Sequence, residues 1–187
     1  MPPVPAPPGA AVDDGYLVAR AQEGYLDAFE ALVVRHGPRA FRVALRLVND
    51  RAEAEDLTQE ALVAAWQALP RFRADAAFST WLLRIVTNRC LNHLTRTRQT
   101  VHLDAGGELT DSAPGPADRA VAAASRDAVG TAIAALPIAY RVPLVLREFE
   151  GLSYQQIALV TTSTVPAVRS QLARARRTLA TALEQWR

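Results

Sequence analysis

The sequence predicts an all-α protein built as two helical domains joined by a flexible linker, and three observations carry that reading. Apolar residues recur at helical spacing from Asp13 to about Arg96 and again from about Ala120 onward, with no alternating strand segments. Residues 99–119, which include AGGELTDSAPGPAD, concentrate Gly, Pro, Ser and Asp and lose that periodicity, as linkers do. Half of the 187 residues are hydrophobic, enough for modest cores in one or two domains. The chain therefore divides into a disordered Pro-rich tail at 1–12, a helical domain at 13–98, a linker at 99–126 and a second helical domain at 127–187.

In the first domain, residues 27–48 carry Phe29, Leu32, Val33, Phe41, Leu45 and Val48, a helical set that Gly37 and Pro38 are expected to end or kink. A second helix from about Arg51 to Leu69 opens with acids, which suit the positive end of its dipole, and closes before Pro70. Residues 71–78, RFRADAAF, form a short connection. Ser79 is placed to cap a third helix, TWLLRIVTNRCLNHLTR, with Trp81, Leu82, Ile85, Val86 and Leu91 as core candidates.

Beyond the linker, helical pattern runs from near Ala120 through Leu136, stops at Pro137 and restarts from about Tyr140 to Glu150. Two short helices follow within GLSYQQIALVTTSTVPAVRSQLARARR at 151–177. The first opens at Ser153 with Gln156 three residues on, the spacing at which each side chain satisfies the other's backbone donor. Ile157 and Ala158 form its buried side. The connection Thr161, Thr162, Ser163, Thr164 is short and polar, with Thr164 placed to cap the second helix and Pro166 tolerated in its first turn. Val168, Leu172, Ala175 and Leu179 make one apolar stripe, and Arg169, Ser170, Arg174, Arg176 and Arg177 fall opposite. Over 151–187 the arginines face Glu184 as the lone acid, so this is a surface for a polyanion rather than a mixed-sign solvated face. Two helices crossed by a short turn, the second basic, is the helix-turn-helix pattern of DNA readers. An arginine-rich helix that is merely solvated has the same periodicity.

Composition excludes several functions. The net charge is only +2, and all 21 basic residues are arginine, which suits local docking rather than a general coat for nucleic acid. Cys90 stands alone in an apolar helical run, and His36, His93 and His102 make no ligand spacing, so neither disulfide nor metal cluster is expected. With no nucleophile beside a base and no phosphate-cradling glycine loop, the chain is expected to be no enzyme and to need no cofactor. No run approaches a membrane span, and the tail lacks the basic start and apolar core of a signal peptide, so a cytoplasmic location without membrane insertion is expected.

Two further patterns lie upstream. Asp56, Gln59 and Glu60 share one side of the second helix while Leu57, Ala61 and Ala64 occupy another, which gives either a protein-docking patch or an acidic first turn favoured by the dipole. Arg71, Phe72, Arg73, Phe78 and Trp81 interleave cations with aromatic rings, the combination that single-stranded nucleic acid asks for, although Trp81 is expected to be mostly core.

DAFEALVVRHGPRAFRVALRLVNDRAEAEDLTQEALVAAWQALPRFRADAAFSTWLLRIVTNRCLNHL resembles region 2 of the extracytoplasmic-function (ECF) sigma factors of the bacterial sigma-70 family. LPIAYRVPLVLREFEGLSYQQIALVTTSTVPAVRSQLARARRTL resembles their region 4. The likeness covers residues 13–98 and 127–183, in the family's order, and implies a region 2 helical bundle followed by a region 4 helix-turn-helix. It implies a promoter-specificity subunit that binds core RNA polymerase through the clamp helices of the largest subunit and the flap, reads promoter DNA at two elements, helps open the strands, and serves a stress or envelope response. Asp56, Gln59 and Glu60 match the family's DLxQE motif, the core polymerase contact. Arg71, Phe72, Arg73 and Phe78 match the loop that holds a base flipped from the −10 element, and Asn88 matches a polar position beside it. Arg169, Ser170, Gln171 and Arg174 match positions that read the −35 element, with Arg176 and Arg177 on the same basic face. An anti-sigma factor is implied as regulator.

The chain departs from the family at Gln171, where arginine is usual, and in the turn, where Thr161 and Thr162 replace leucine and glycine. A β-branched residue must then adopt a left-handed conformation or the turn takes another shape. The residues themselves leave two other readings open, a stand-alone helix-turn-helix regulator and a helical protein-interaction adaptor. Promoter elements two helical turns apart lie roughly 70 Å apart. A free coil of about 30 residues spans near 30 Å and reaches ~100 Å only when stretched, so polymerase is expected to hold the linker extended.

Overall fold

The computed structural model describes residues 13–103 and 129–183, and side chains in the first stretch as far as Thr97. The Pro-rich tail, the linker from 104, the helical pattern from Ala120 to 128 and residues 184–187 lie outside the described residues. All regular structure among the described residues is helical.

The first half holds α1 (Asp14–Gln22), α2 (Leu26–Val48), α3 (Arg51–Ala68) and α4 (Phe78–Leu103), with a 3-10 turn at Leu69–Arg71 after α3. Gly24, at φ 94°, supplies the left-handed step that separates α1 from α2, a break the sequence pattern did not separate out. Leu32, Val43 and Leu47 of α2, Ala61 and Ala65 of α3, and Leu82, Leu83 and Val86 of α4 form the core. Each large aliphatic side chain fully buried in this way contributes about 1.5–3 kcal/mol.

Three expected boundaries moved. Gly37 and Pro38 do not end α2, because Pro38 sits inside it and the helix continues to Val48. The carbonyl deprived of its donor belongs to Val34, a residue 78 % exposed, so the loss falls on the solvent side while Leu32, Ala40 and Val43 hold the buried face on both sides. Ser79 does not cap α4: the helix begins at Phe78, and the Ala77 carbonyl accepts from the Thr80 and Trp81 N–H groups at 3.0 and 3.1 Å. The same helix runs on to Leu103, beyond the change in composition after Arg98.

The second half holds α5, helical over 129–135, then α6 (Ile138–Glu148), α7 (Tyr154–Thr161) and α8 (Val165–Leu183). The capping box forms as its spacing predicts: the Gln156 N–H donates to Ser153 Oγ at 3.2 Å and the Ser153 N–H to Gln156 Oε1 at 2.8 Å. Thr164 Oγ1 accepts from the Ala167 N–H at 3.3 Å at the head of α8. Val168, Leu172 and Ala175 are buried and Leu179 packs beside them, which seats α8 on α6 and α7. Thr162 ends α7 at φ 51° and ψ 46°, so the missing glycine has left a β-branched residue in the left-handed region.

The halves touch. Helix α7 packs on α4 and α6 on α2. Arg141, 7 % exposed, donates from Nη1 to the Leu47 carbonyl at 2.6 Å and from Nη2 to the Leu136 carbonyl at 3.0 Å and the Ala134 carbonyl. One buried cation thereby serves carbonyls at the C-terminal end of α2 and around the end of α5, groups that helix geometry leaves without internal donors.

Thr162→Gly removes the left-handed strain and is expected to raise stability by up to about 1 kcal/mol in urea unfolding, the strain relief being partly offset by glycine's greater chain entropy. Lower stability of this variant contradicts strain at the turn.

Candidate nucleic-acid and partner interfaces

The 72–77 loop is held from below by aromatic packing and from the side by one glutamine. Gln22 Nε2 donates to the Leu69 and Phe72 carbonyls at 3.0 and 2.8 Å, which fixes where the loop leaves the 3-10 turn. The Phe72 ring lies 4.7 Å from Trp81 and 6.3 Å from Phe78, and Phe78 lies 5.6 Å from Trp81. Phe78 is 4 % exposed and acts as floor, whereas Phe72 and Trp81 are half-buried and reach the surface. Ala74 takes φ 57°, a left-handed residue other than glycine at the tip of the loop.

Above this floor lies a hollow of about 340 Å³ walled by Arg71, Phe72, Arg73 and Asp75 of the loop and by Thr80, Trp81 and Arg84 of α4. Three cations around two ring faces suit a phosphate-bearing, flat ligand. Leu159 and Val160 of α7 complete the wall from the other half of the chain. Asn88 is exposed further along α4 and does not line this hollow.

On α3, Asp56, Gln59 and Glu60 are exposed together, with Leu57 and Ala61 turned into the core. They border a shallow surface hollow that also contains Val63, 57 % exposed, and Arg89 of α4. Arg89 Nη1 lies 3.3 Å from Glu60 Oε2. An apolar side chain ringed by carboxylates, amides and one cation has the layout of a protein-docking patch.

The basic face of α8 is not uniform. Arg169, Ser170 and Arg177 are exposed. Arg174 donates to the Tyr140 hydroxyl at 3.1 Å, and that bond holds its guanidinium above the ordinary arginine range. Arg176 donates from Nε and Nη2 to Glu148 Oε1 at 3.2 and 2.7 Å, which raises it likewise. Gln171 is half-buried, and its Oε1 is buried without a hydrogen-bond partner. It stands between the stripe and the basic face rather than on the face.

Residues 32–100 match the family model for sigma-70 region 2, and residues 126–179 match that for sigma-70 region 4. The chain is 39 % identical over 181 residues to the RNA polymerase sigma-H factor of Pseudomonas aeruginosa, a match covering 91 % of this chain and 94 % of that one. The chain belongs to the sigma-70 family, as an ECF sigma factor. The ECF RNA polymerase sigma-E factor of Escherichia coli is 34 % identical over 174 residues, 87 % of this chain and 90 % of its own. Among solved structures, CnrH in complex with the cytosolic domain of CnrY superposes with a TM-score of 0.70 at 30 % identity, covering 92 % of this chain and 97 % of that one.

For this sigma factor the structure brings Arg71, Phe72 and Arg73 to one hollow, buries Phe78 beneath it and leaves Asn88 outside it. Asp56, Gln59 and Glu60 share one surface, and Arg174 and Arg176 already have partners on α6. Sequence reasoning missed Arg84, Val63 and Arg89 as members of these surfaces. Arg84 was findable, since it follows Trp81 by three residues on the same helix. Val63 was not, because an exposed valine has no signature of its own. Cys90 is buried, and burial pushes its thiol up to about 12, which disfavours the thiolate.

Gln171→Leu replaces a buried unpartnered carbonyl by an apolar group of similar reach, and is expected to raise stability by about 0.5–1 kcal/mol. Urea unfolding of the variant checks this, and a clear loss of stability shows that the amide has a partner.

Proposed function

We propose that this ECF sigma factor docks on core RNA polymerase through the Asp56, Gln59 and Glu60 surface of α3, with Val63 as its apolar centre. The 71–78 loop then captures an unstacked base of the −10 element, and α8 reads the −35 element in the major groove. Residues 13–98 thus form the core-binding and melting domain and residues 127–187 the upstream reader, joined by the 99–126 linker. The observation that carries this reading is the match of both family regions, in order, onto surfaces whose chemistry fits each task.

In the hollow, the Phe72 and Trp81 rings offer stacking, worth about 1–3 kcal/mol per base, enough to offset an unpairing cost of a few kcal/mol. Arg71, Arg73 and Arg84 hold the flanking phosphates. On α8, Arg169 and Arg177 are ready for DNA, and Arg174 and Arg176 exchange Tyr140 and Glu148 for phosphate or base edges on binding. The protein performs no covalent step: its work is positioning and strand capture. None of the described helices is long and apolar enough to cross a membrane, which supports a cytoplasmic place beside the polymerase. The solved relative bound to the cytosolic domain of a second protein supports a protein partner here too, which we assign as an anti-sigma factor in a stress or envelope response.

Run-off transcription with core polymerase and genomic templates, with and without the protein, tests the reading. Protein-dependent start sites are expected, and no stimulation on any template favours a stand-alone regulator or an adaptor. Asp56→Ala with Gln59→Ala is expected to weaken core polymerase binding about tenfold or more, as loss of central interface contacts does. Arg169→Ala spares core binding and costs about 1–3 kcal/mol of promoter affinity if its contact is to a base edge. Equal loss on all DNA sequences makes it a phosphate anchor.

A further inference from the structure

A second hollow, of about 540 Å³, opens where α2 meets α5, and it shares no residue with the one at the loop. Its apolar walls are Leu45 of α2, Val129 and Ile133 of α5, and Phe149, which follows α6. Gly130 lines the α5 side, and a Cβ there would meet no atom within 4 Å, so the space in front of it is open. Ile133 is 6 % exposed, whereas Val129 and Phe149 are 38 % and 42 % exposed, large apolar groups left partly bare. Small-molecule sites occupy about 300–1,000 Å³ and combine such walls with a few convergent polar groups.

The polar groups here are Arg46, in the last turn of α2, and Asn49 just past its end. Other arginines around α2 have carboxylates: Arg35 pairs with Asp14, Arg39 with Glu150 at 2.6 Å, and Arg51 with Glu55 at 2.9 Å. Arg46 is half-buried and pairs with no carboxylate among the described residues. Its Nη1 donates to the Arg42 carbonyl at 3.2 Å, and its guanidinium lies 4.2 Å above the Phe149 ring. A guanidinium placed over a ring keeps its remaining N–H donors in its own plane, free for a second partner. The hollow therefore holds a cation in want of an anion, beside apolar surface in want of cover. A carboxylate matches two N–H groups of one guanidinium side by side. One arginine and one amide are too few donors for a multiply charged phosphate ester, whose desolvation these walls would leave uncompensated.

We propose that this hollow binds a monocarboxylate with an apolar body, in class a medium-chain fatty acid. The carboxylate sits on Arg46 and Asn49, and the chain lies against Leu45, Val129, Ile133 and Phe149. A ligand so placed touches α2, α5 and the residue after α6 at once, and ties the two halves beside the junction that Arg141 makes. The site depends on none of the promoter assignments.

Isothermal titration calorimetry of the full chain with octanoate tests this, with 1-octanol as the uncharged probe of the same body. Saturable binding of octanoate at one site per chain is expected, with 1-octanol at least about fivefold weaker for want of the charge-assisted hydrogen bonds. Gly130→Leu fills the hollow and is expected to weaken octanoate about tenfold or more, as crowding a packed site does. Leucine at a helical glycine also favours the helix, and circular dichroism with urea unfolding checks that the variant is folded. Arg46→Gln is expected to weaken octanoate about fivefold or more and to leave 1-octanol unchanged, a split that general loosening of the junction does not produce. That comparison stands without the first variant. Absence of saturable octanoate binding overturns the site. Undiminished binding by folded Gly130→Leu puts octanoate elsewhere on the chain and overturns it equally. Equal loss of both probes in Arg46→Gln, or loss of neither, contradicts the carboxylate contact and with it the class of ligand.

Discussion

The Arg141 guanidinium is the interaction around which the two halves are organised. A helix end leaves carbonyls without donors, and burying those carbonyls demands a partner from elsewhere. Arg141 supplies Leu47 at the end of α2 and Ala134 and Leu136 near the end of α5 from one side chain, so the second half is seated on an unfinished edge of the first. From that seat, Glu150 is carried to Arg39 and α7 to the loop. The apolar cores decide that each half folds, and this polar junction decides how they stand together.

The fold was readable wherever the side-chain pattern and the backbone chemistry agreed. Ser153 with Gln156 and the stripe of Val168, Leu172 and Ala175 are local signals, and they appear as expected. The left-handed Thr162 was readable for the same reason, since a missing glycine in a fixed turn leaves few conformations. Of the two outcomes expected at Pro38, an end or a kink, the end does not occur, because burial on both sides of the proline outweighs the lost hydrogen bond. The packing of α6 and α7 on the first half was not readable at all. It rests on Arg141 meeting Leu47, 94 positions away, and on Arg39 meeting Glu150, 111 positions away, and no periodicity records such pairs.

At the candidate sites the residue types were legible and their roles less so. Phe78 looks like a base-contacting aromatic in the sequence and is floor in the structure, because it begins α4 against the core. Arg174 and Arg176 look like free cations and are tied to Tyr140 and Glu148. These ties are exposed, and exposed pairs contribute little to stability, so they orient the side chains without fixing them strongly. Ala74 and Thr162 are left-handed residues other than glycine, one in the loop and one in the turn.

In the free chain the 72–77 loop and the helix-turn-helix meet through α7, whereas the promoter elements we assign to them lie roughly 70 Å apart. Dipolar spectroscopy between spin labels on α2 and α8, in the free protein and in its complex with core polymerase and promoter DNA, measures this directly. A short, narrow distance that lengthens by tens of ångströms in the complex is the predicted result. The same distance in both states contradicts it.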